Sequence, residues 1–290
     1  MSNANNSFRG IILSALKHNK DGSFTTQHNR QNILLKMSKD LSQAGHKDVT
    51  AKNFGAKHCY ILRDSWQAQG ISTATIKNRL ACVRWLGEKL GKELPDNKKL
   101  EIENRVYSDN TKNKAQEIDP EKLAKLNEKQ QLAIRLQREF GLRREESLKF
   151  MPSYAIKADN IELKSSWTKG GRAREIPITT DKQRELLQEV EKVAGKGSLI
   201  EKEQKYHQAR EALDKACQRA EIRNMHGFRH AYAQQRYKDL TGRDCPKAGG
   251  LTSKQLRLSR YNIQDYSVRL KISEELGHSR EEITVQYLGR

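Results

Sequence analysis

The chain has 290 residues, and its 55 Lys and Arg against 36 Asp and Glu leave a formal charge of +19. Such an excess is the footprint of a polyanionic partner, nucleic acid before membrane, since no stretch is apolar enough to span or anchor in a bilayer. Cys59, Cys82, Cys217 and Cys245 are scattered without a C-x-x-C pair, which argues against a disulfide framework or zinc site and reads as reduced thiols.

The opening "MSNANNSFRG" has no apolar core of a signal peptide, so a cytoplasmic, nucleoid-associated protein is expected. After this polar tail, three helical patterns follow one another. The first covers about Asn29 to Gln43, with Ile33, Leu34, Met37 and Leu41 on one face. The second starts near Thr50, buries Phe54, Ile61, Leu62 and Trp66, and ends at Gly70. The third runs from Ser72 to Leu90, with Ile76, Leu80, Val83 and Leu86 inside and Gly91 closing it. Its exposed face carries Lys77, Arg79, Arg84 and Lys89, of which the first three are candidate DNA-binding residues. Residues 1–92 therefore read as a basic, all-helical DNA-binding module.

Pro95 opens a polar stretch that includes "SDNTKNKAQ", so residues 93–117 read as a linker. The second domain spans 118–290. Asp119 caps a helix with Pro120 at its first position, and a further helix covers Gln130 to Phe140. "IELKSSW", "TKGG" and "RAREIPI" then alternate, turn and alternate again, which predicts a hairpin. Helices follow at about Asp181–Ala194, Glu201–Arg219 and Gly227–Leu240. The fold class is mainly α with one small β-hairpin. At the far end, Ser279 and Glu282 have capping-box spacing, so a short, loosely tethered helix from Arg280 carries Tyr287 and stops at Gly289. The plainer alternative is a turn histidine at 278 and a core tyrosine at 287.

Four separated pieces call for one explanation. In "GLRREE", Arg143 and Glu146 stand three apart on one helical face; Lys169 sits at the hairpin tip; "HGFRH" repeats the spacing with His226 and Arg229; His278 precedes Tyr287 by nine. Two fixed guanidiniums can clamp a phosphate, a lysine and a histidine can move protons, and a tyrosine can attack phosphorus. These boxes, in this order, resemble the tyrosine recombinases of the phage integrase family. Gly141, Leu142, Arg143 and Glu146 match its first box, and Lys169 lies eight residues before Pro177 as the family's hairpin lysine does. His226 and Arg229 match its His-x-x-Arg box, while Leu276 to Ser279 and Tyr287 match its terminal one. The match covers residues 118–290 by motif and the N-terminal module by helical layout only.

The resemblance implies a core-binding domain followed by an α+β catalytic domain that cleave and rejoin duplex DNA through a 3′-phosphotyrosyl link. Arg143 and Arg229 would hold the scissile phosphate, Tyr287 attack, Lys169 protonate the leaving oxygen, His226 assist, His278 bond the phosphate and Glu146 orient a neighbour. Arg172 and Arg174 would touch the DNA backbone, and His230 would pack or bond within its helix. No cofactor, metal or ATP is expected. The implied partners are double-stranded DNA, a homo-tetramer on DNA that is monomeric or weaker when free, and a host DNA-bending factor. Integration or excision of a mobile element is the expected task. The alternatives are a type IB-like topoisomerase, a dimer or telomere resolvase, or a silent DNA-binding regulator.

Two departures from the family pattern stand out. About two dozen extra residues, including Thr241 to Asn262, separate His226 from His278, either as a tolerated surface insertion or as a contact to DNA or a neighbouring subunit. Only three residues follow Tyr287, too few for a tail that docks on a neighbour, so the extra stretch is the expected coupling element. The stretch before residue 29 is likewise too short for a further DNA-binding domain, which puts control from distant arm sites in doubt.

Overall fold

The computed structural model describes residues 7–105, 109–259 and 261–290, without the side chain of Asn262. The chain forms two compact units, Met1–Val106 and Tyr107–Arg290.

The first unit is built from α1 (Phe8–His18), α2 (Phe24–Gln43), α3 (Ala56–Ala68) and α4 (Thr73–Lys89). Helix α1 occupies what the sequence suggested was a polar tail. Ser7 caps it by accepting from Gly10 N, and Phe8 and Ile12 enter the core. The signal is in the sequence, since Phe8, Ile11, Ile12, Ala15 and Leu16 recur at helical spacing and lie in or against that core. Helices α2 and α4 are opened by Ser23 and Ser72, whose hydroxyls accept from the amides three residues on. Helix α3 starts at Ala56 rather than near Thr50, because Thr50 and Asn53 close a separate turn with their own side chains. Asp40 is 4% exposed in this core and is made tolerable by the Trp66 indole N–H at 2.8 Å and the Lys36 ammonium at 3.1 Å. Of the stretch read as a linker, Leu100 and Ile102 are buried in the first unit.

The face of α4 expected to be exposed is half-covered. Lys77, Arg79, Arg84 and Lys89 all have intermediate exposure. Arg79 stacks over Trp66 at 5.2 Å, Arg84 donates to Pro95 O at 3.4 Å, and Lys89 lies 3.9 Å from Asp21. Their stems therefore serve packing as well as charge.

In the second unit, α5 (Pro120–Leu123) is capped by Asp119 and followed by α6 (Glu128–Phe140), α7 (Arg144–Leu148) and α8 (Pro152–Ala155). The hairpin pairs β1 (Asn160–Leu163) with β2 (Arg174–Pro177), antiparallel, with Ile161 opposite Ile176 and Leu163 opposite Arg174. Its strands are shorter than the alternation suggested: Ser165–Trp167 form a 3₁₀ turn that buries Trp167 beside Phe150 and Tyr154. Helices α9 (Asp181–Ala194), α10 (Tyr206–Arg219) and α11 (His226–Thr241) follow. Helix α10 begins five residues later than the sequence suggested, where the side chain of Gln208 reaches back to the Lys205 amide. Helix α6 packs between α9 and α11, and α11 also packs on α13 (Asn262–Glu275), with α12 (Ser253–Arg257) just before it. No helix of the described residues is long and apolar enough to cross a membrane.

The extra stretch after α11 is no loose insertion. Gly242 ends α11 at φ 69°, and Pro246–Ala248 form a 3₁₀ turn in which Cys245, Pro246 and Lys247 are buried. A Cβ on Gly250 would sit 1.7 Å from Asp244 O, so only glycine lets that turn close. The chain then reaches the 3₁₀ turn Glu281–Thr284 and α14 (Val285–Leu288). The expected cap at Ser279 does not form, since Arg280 is extended and no side chain caps the turn. The loose tether is not observed either: Val285, Tyr287 and Leu288 are buried.

Candidate active site

Six cationic or imidazole side chains and one phenol converge around the junction of α6, α11 and α14. Helix α6 ends at Gly141 with φ 62°, and a Cβ there would stand 2.4 Å from Tyr232 Cδ1. This close approach leaves the Gly141 carbonyl to accept from Arg229 Nη1–H. Arg229 is 1% exposed; its Nη2–H donates to Leu276 O and its Nε–H donates to Tyr287 Oη at 3.2 Å. One guanidinium thus ties the first arginine loop, the His278 turn and the phenol together.

Arg143 is not on a helical face, as the spacing suggested. It is the N-cap of α7, with extended backbone (φ −72°, ψ 155°), and Glu146 reaches back to accept from its amide at 2.7 Å. The cap position frees the Arg143 side chain from the helix. Its Nη1–H donates to Glu146 Oε1 at 2.8 Å and its Nη2–H to His278 Nε2 at 3.4 Å. An arginine can only donate, so His278 presents its Nε2 lone pair there.

Arg174 requires a correction. It was expected on the DNA backbone, but its side chain is only 6% exposed and it donates to both Glu146 oxygens, at 2.9 and 2.7 Å. A third bond runs from Arg174 Nε–H to Glu275 O at 2.8 Å. Gly277, at φ 71°, makes room, since a Cβ there would meet Arg174 Nη1 at 2.9 Å. Glu146 is therefore a buried hub between two arginines, and a pair with this geometry stays charged only because every oxygen is bonded.

The electrostatics follow from this packing. Burial by itself raises the Glu146 pKa, but the Arg174 hydrogen bonds and the charges of Arg174, Arg229 and Arg143 outweigh it and hold the carboxyl at about 2. Burial, then Arg229 and Arg143, lowers His278 to about 4; burial, then His226 and Lys247, lowers His230 to about 3. Desolvation beside Arg229 and Arg143 also lowers His226. These shifts favour the neutral form of all three imidazoles at pH 7.

The depressed Glu146 pKa makes a stability prediction. Its shift from 4.5 to about 2 corresponds to about 3 kcal/mol of stabilisation. That contribution is complete above pH 4.5 and is lost as pH falls toward 2. Urea unfolding of wild type and Glu146→Gln should differ widely at pH 7 and converge near pH 2. A gap that does not change with pH would show that Glu146 is not held ionised by its arginines.

Tyr287 is 5% exposed, and its ring lies 4.8 Å from His230, 5.9 Å from His226 and 6.4 Å from His278. The structure thus brings together Arg143, Glu146, His226, Arg229, His278 and Tyr287. It does not bring in Lys169, which is exposed at the hairpin tip with no hydrogen bond or ion pair among the described residues. Arg172 is also exposed. His230, expected to pack or hydrogen-bond within its helix, is buried and packs against the phenol ring, and its Nδ1 has no hydrogen-bond partner among the described residues. Its place immediately after Arg229 was the available signal.

Residues 10–94 match a family model described as "Phage integrase, N-terminal", and residues 102–235 match one described as "Integrase". The second match ends before the His278 turn and Tyr287. A search of curated proteins finds no match. Among solved structures, a lambda integrase dimer bound to a COC′ core site aligns over 98% of this chain and 78% of its own, with 14% identity and a TM-score of 0.61. The Tn1549 transposon integrase (residues 82–397 of that protein) in complex with circular intermediate DNA aligns over 98% and 95%, with 13% identity and a TM-score of 0.55. The XerH site-specific recombinase bound to palindromic difH substrate aligns over 94% and 78%, with 17% identity and a TM-score of 0.56. At these identities the likeness is one of fold.

Proposed function

The chain belongs to the phage integrase family of tyrosine recombinases, and on that premise we propose that it cuts and rejoins duplex DNA at a specific site with Tyr287 as nucleophile. The observation that carries this reading is the Tyr287 hydroxyl held 3.2 Å from Arg229 Nε, with its ring 6.4 Å from that of His278. The phenol oxygen attacks phosphorus, the bond to the 5′ oxygen breaks, and that oxygen leaves with the electron pair and takes a proton. Rejoining reverses these steps, because the phosphotyrosyl bond conserves the phosphodiester's energy.

The roles follow from the chemistry of each group. Arg229 uses three N–H groups on the protein, and a guanidinium has five, so two remain for a non-bridging oxygen. Arg143 supplies the second cation, and both act on charge that grows in the transition state. His226, neutral and with its ring 5.9 Å from that of Tyr287, suits the transfer of the phenolic proton. A phosphate beside His278 would favour its protonated form, which can donate. Lys169 is the proposed acid for the leaving oxygen, delivered when the hairpin tip meets DNA. Nucleophile and clamp lie in one unit, which supports attack within one chain.

Lys77 and Arg172 are proposed contacts to the DNA backbone. Integration or excision of a mobile element, on a tetramer, is the proposed setting; one structural neighbour is a lambda integrase tetramer bound to a Holliday junction. Covalent capture from a pool of nicked duplexes of randomised sequence tests the chemistry. SDS-resistant adducts should form in EDTA, and peptide digestion should place the DNA on Tyr287. An adduct on another tyrosine, or one that needs Mg²⁺ to form, would refute the mechanism.

A further inference from the structure

The last turn of a helix leaves carbonyls without intrahelical partners, and in α14 these belong to the residues around Tyr287. Three side chains from different elements take them up. Lys247 Nζ donates to Gln286 O at 2.7 Å, Gln234 Nε2 donates to Tyr287 O at 3.0 Å, and Arg269 Nη1 donates to Gly289 O at 2.9 Å. Gln234 is itself held by Asn113, in both directions, at 2.8 and 3.1 Å. Gly289 is squeezed between Asn110 and Lys247, where a Cβ would meet Asn110 Oδ1 at 2.5 Å and Lys247 Cγ at 3.0 Å.

Of these anchors, Lys247 alone comes from the stretch that the family pattern does not need. It lies in the 3₁₀ turn Pro246–Ala248 and is 8% exposed. An ammonium that far out of water requires a partner, and the partner is the carbonyl one residue before the phenol. The positive charge also faces the negative end of the short helix, which favours the contact. The turn can reach that place because Gly249 adopts φ 90° and Gly250 packs against Asp244 O.

We propose that Lys247 is a positioning residue for Tyr287, and that the extra stretch holds the nucleophile's helix in place within its own chain. This rests on Tyr287 as nucleophile. It assigns the first half of the stretch a role inside the subunit, in place of the expected reach toward a neighbour. The anchor acts on the backbone, so it fixes where the phenol stands without touching the reacting atoms.

Lys247→Met keeps the stem and removes the donor. In the free full-length protein, amide exchange at Gly289, whose N–H bonds Val285 O, should quicken roughly tenfold. On the duplex recovered by covalent capture, single-turnover cleavage at saturating protein should slow roughly tenfold, while the dissociation constant stays within about twofold. An unchanged value in either the exchange or the cleavage arm overturns the proposal, as does a loss confined to DNA affinity. Should Lys247→Met not fold, Lys247→Gln, which retains an N–H donor on a shorter stem, takes its place with smaller losses expected in both arms. Should the wild-type chain form no adduct, the functional reading fails on its own, and the exchange arm alone decides whether Lys247 anchors α14.

Discussion

Tyr287→Phe is expected to bind the captured duplex with unchanged affinity and to form no covalent adduct at all. The substitution removes one oxygen and leaves the ring. That ring packs against His226, His230 and His278, so its shape and burial survive. The lost contact is the hydrogen bond from Arg229 Nε, and Arg229 keeps its two carbonyl partners. Leaving that buried, charged N–H without its acceptor costs about 1.5–3 kcal/mol of stability, which an intact domain tolerates. The chemical loss is complete by comparison, since no other oxygen occupies the position. Gel shift and SDS-resistant capture, run side by side, check both halves. A residual adduct would mean that another nucleophile reaches the phosphate, and lost binding would mean that the phenol had been serving recognition.

Arg229→Ala should lower the cleavage rate by about three orders of magnitude or more, the loss associated with removing a preorganised donor from a charge-building transition state. It should also lower stability, because the carbonyls of Gly141 and Leu276 would be left buried without partners, at about 1–3 kcal/mol each. The two effects can be separated. Arg229→Lys keeps a positive charge but offers a compact ammonium that cannot bond three groups set in one plane. It should recover part of the thermal stability and little of the rate. The measurements are single-turnover cleavage at saturating protein and a thermal melt. A lysine variant that cleaves within tenfold of wild type would show that charge alone suffices and that the fork geometry is idle.

Much of the fold was legible because its signals are local. Serine and threonine caps, glycine stops and the spacing of Ile76, Leu80, Val83 and Leu86 are read within a few residues, and α4, α6, α9 and α11 lie where those signals put them, while α2 starts at Phe24, five residues before the expected Asn29. Helix α1 was missed although its apolar residues, Phe8, Ile11, Ile12, Ala15 and Leu16, recur at helical spacing. The terminal helix was misplaced because S-x-x-E spacing permits a capping box without requiring one, and tertiary contacts drew residues 281–284 into a 3₁₀ turn.

The site divides along the same line. The sequence by itself named Arg143, Glu146, Lys169, His226, Arg229, His278 and Tyr287, because each sits in a short box whose residue types and spacing point to phosphoryl chemistry, and of these the structure leaves Lys169 out of the cluster. It could not say what each box touches. Arg174 donates to a carboxylate 28 residues away, Lys247 to a carbonyl 39 away and Arg229 to one 88 away. Such pairings depend on which elements pack together, and nothing in the run of residues around an arginine tells whether its charge will meet water, DNA or a buried glutamate. Hydrogen bonds that cap and turn are satisfied by near neighbours and so are written in local sequence. The orphan carbonyls at the ends of α6, α13 and α14 are satisfied by whatever donor the fold delivers. Only the tertiary structure decided that those donors would be Arg229 and Lys247.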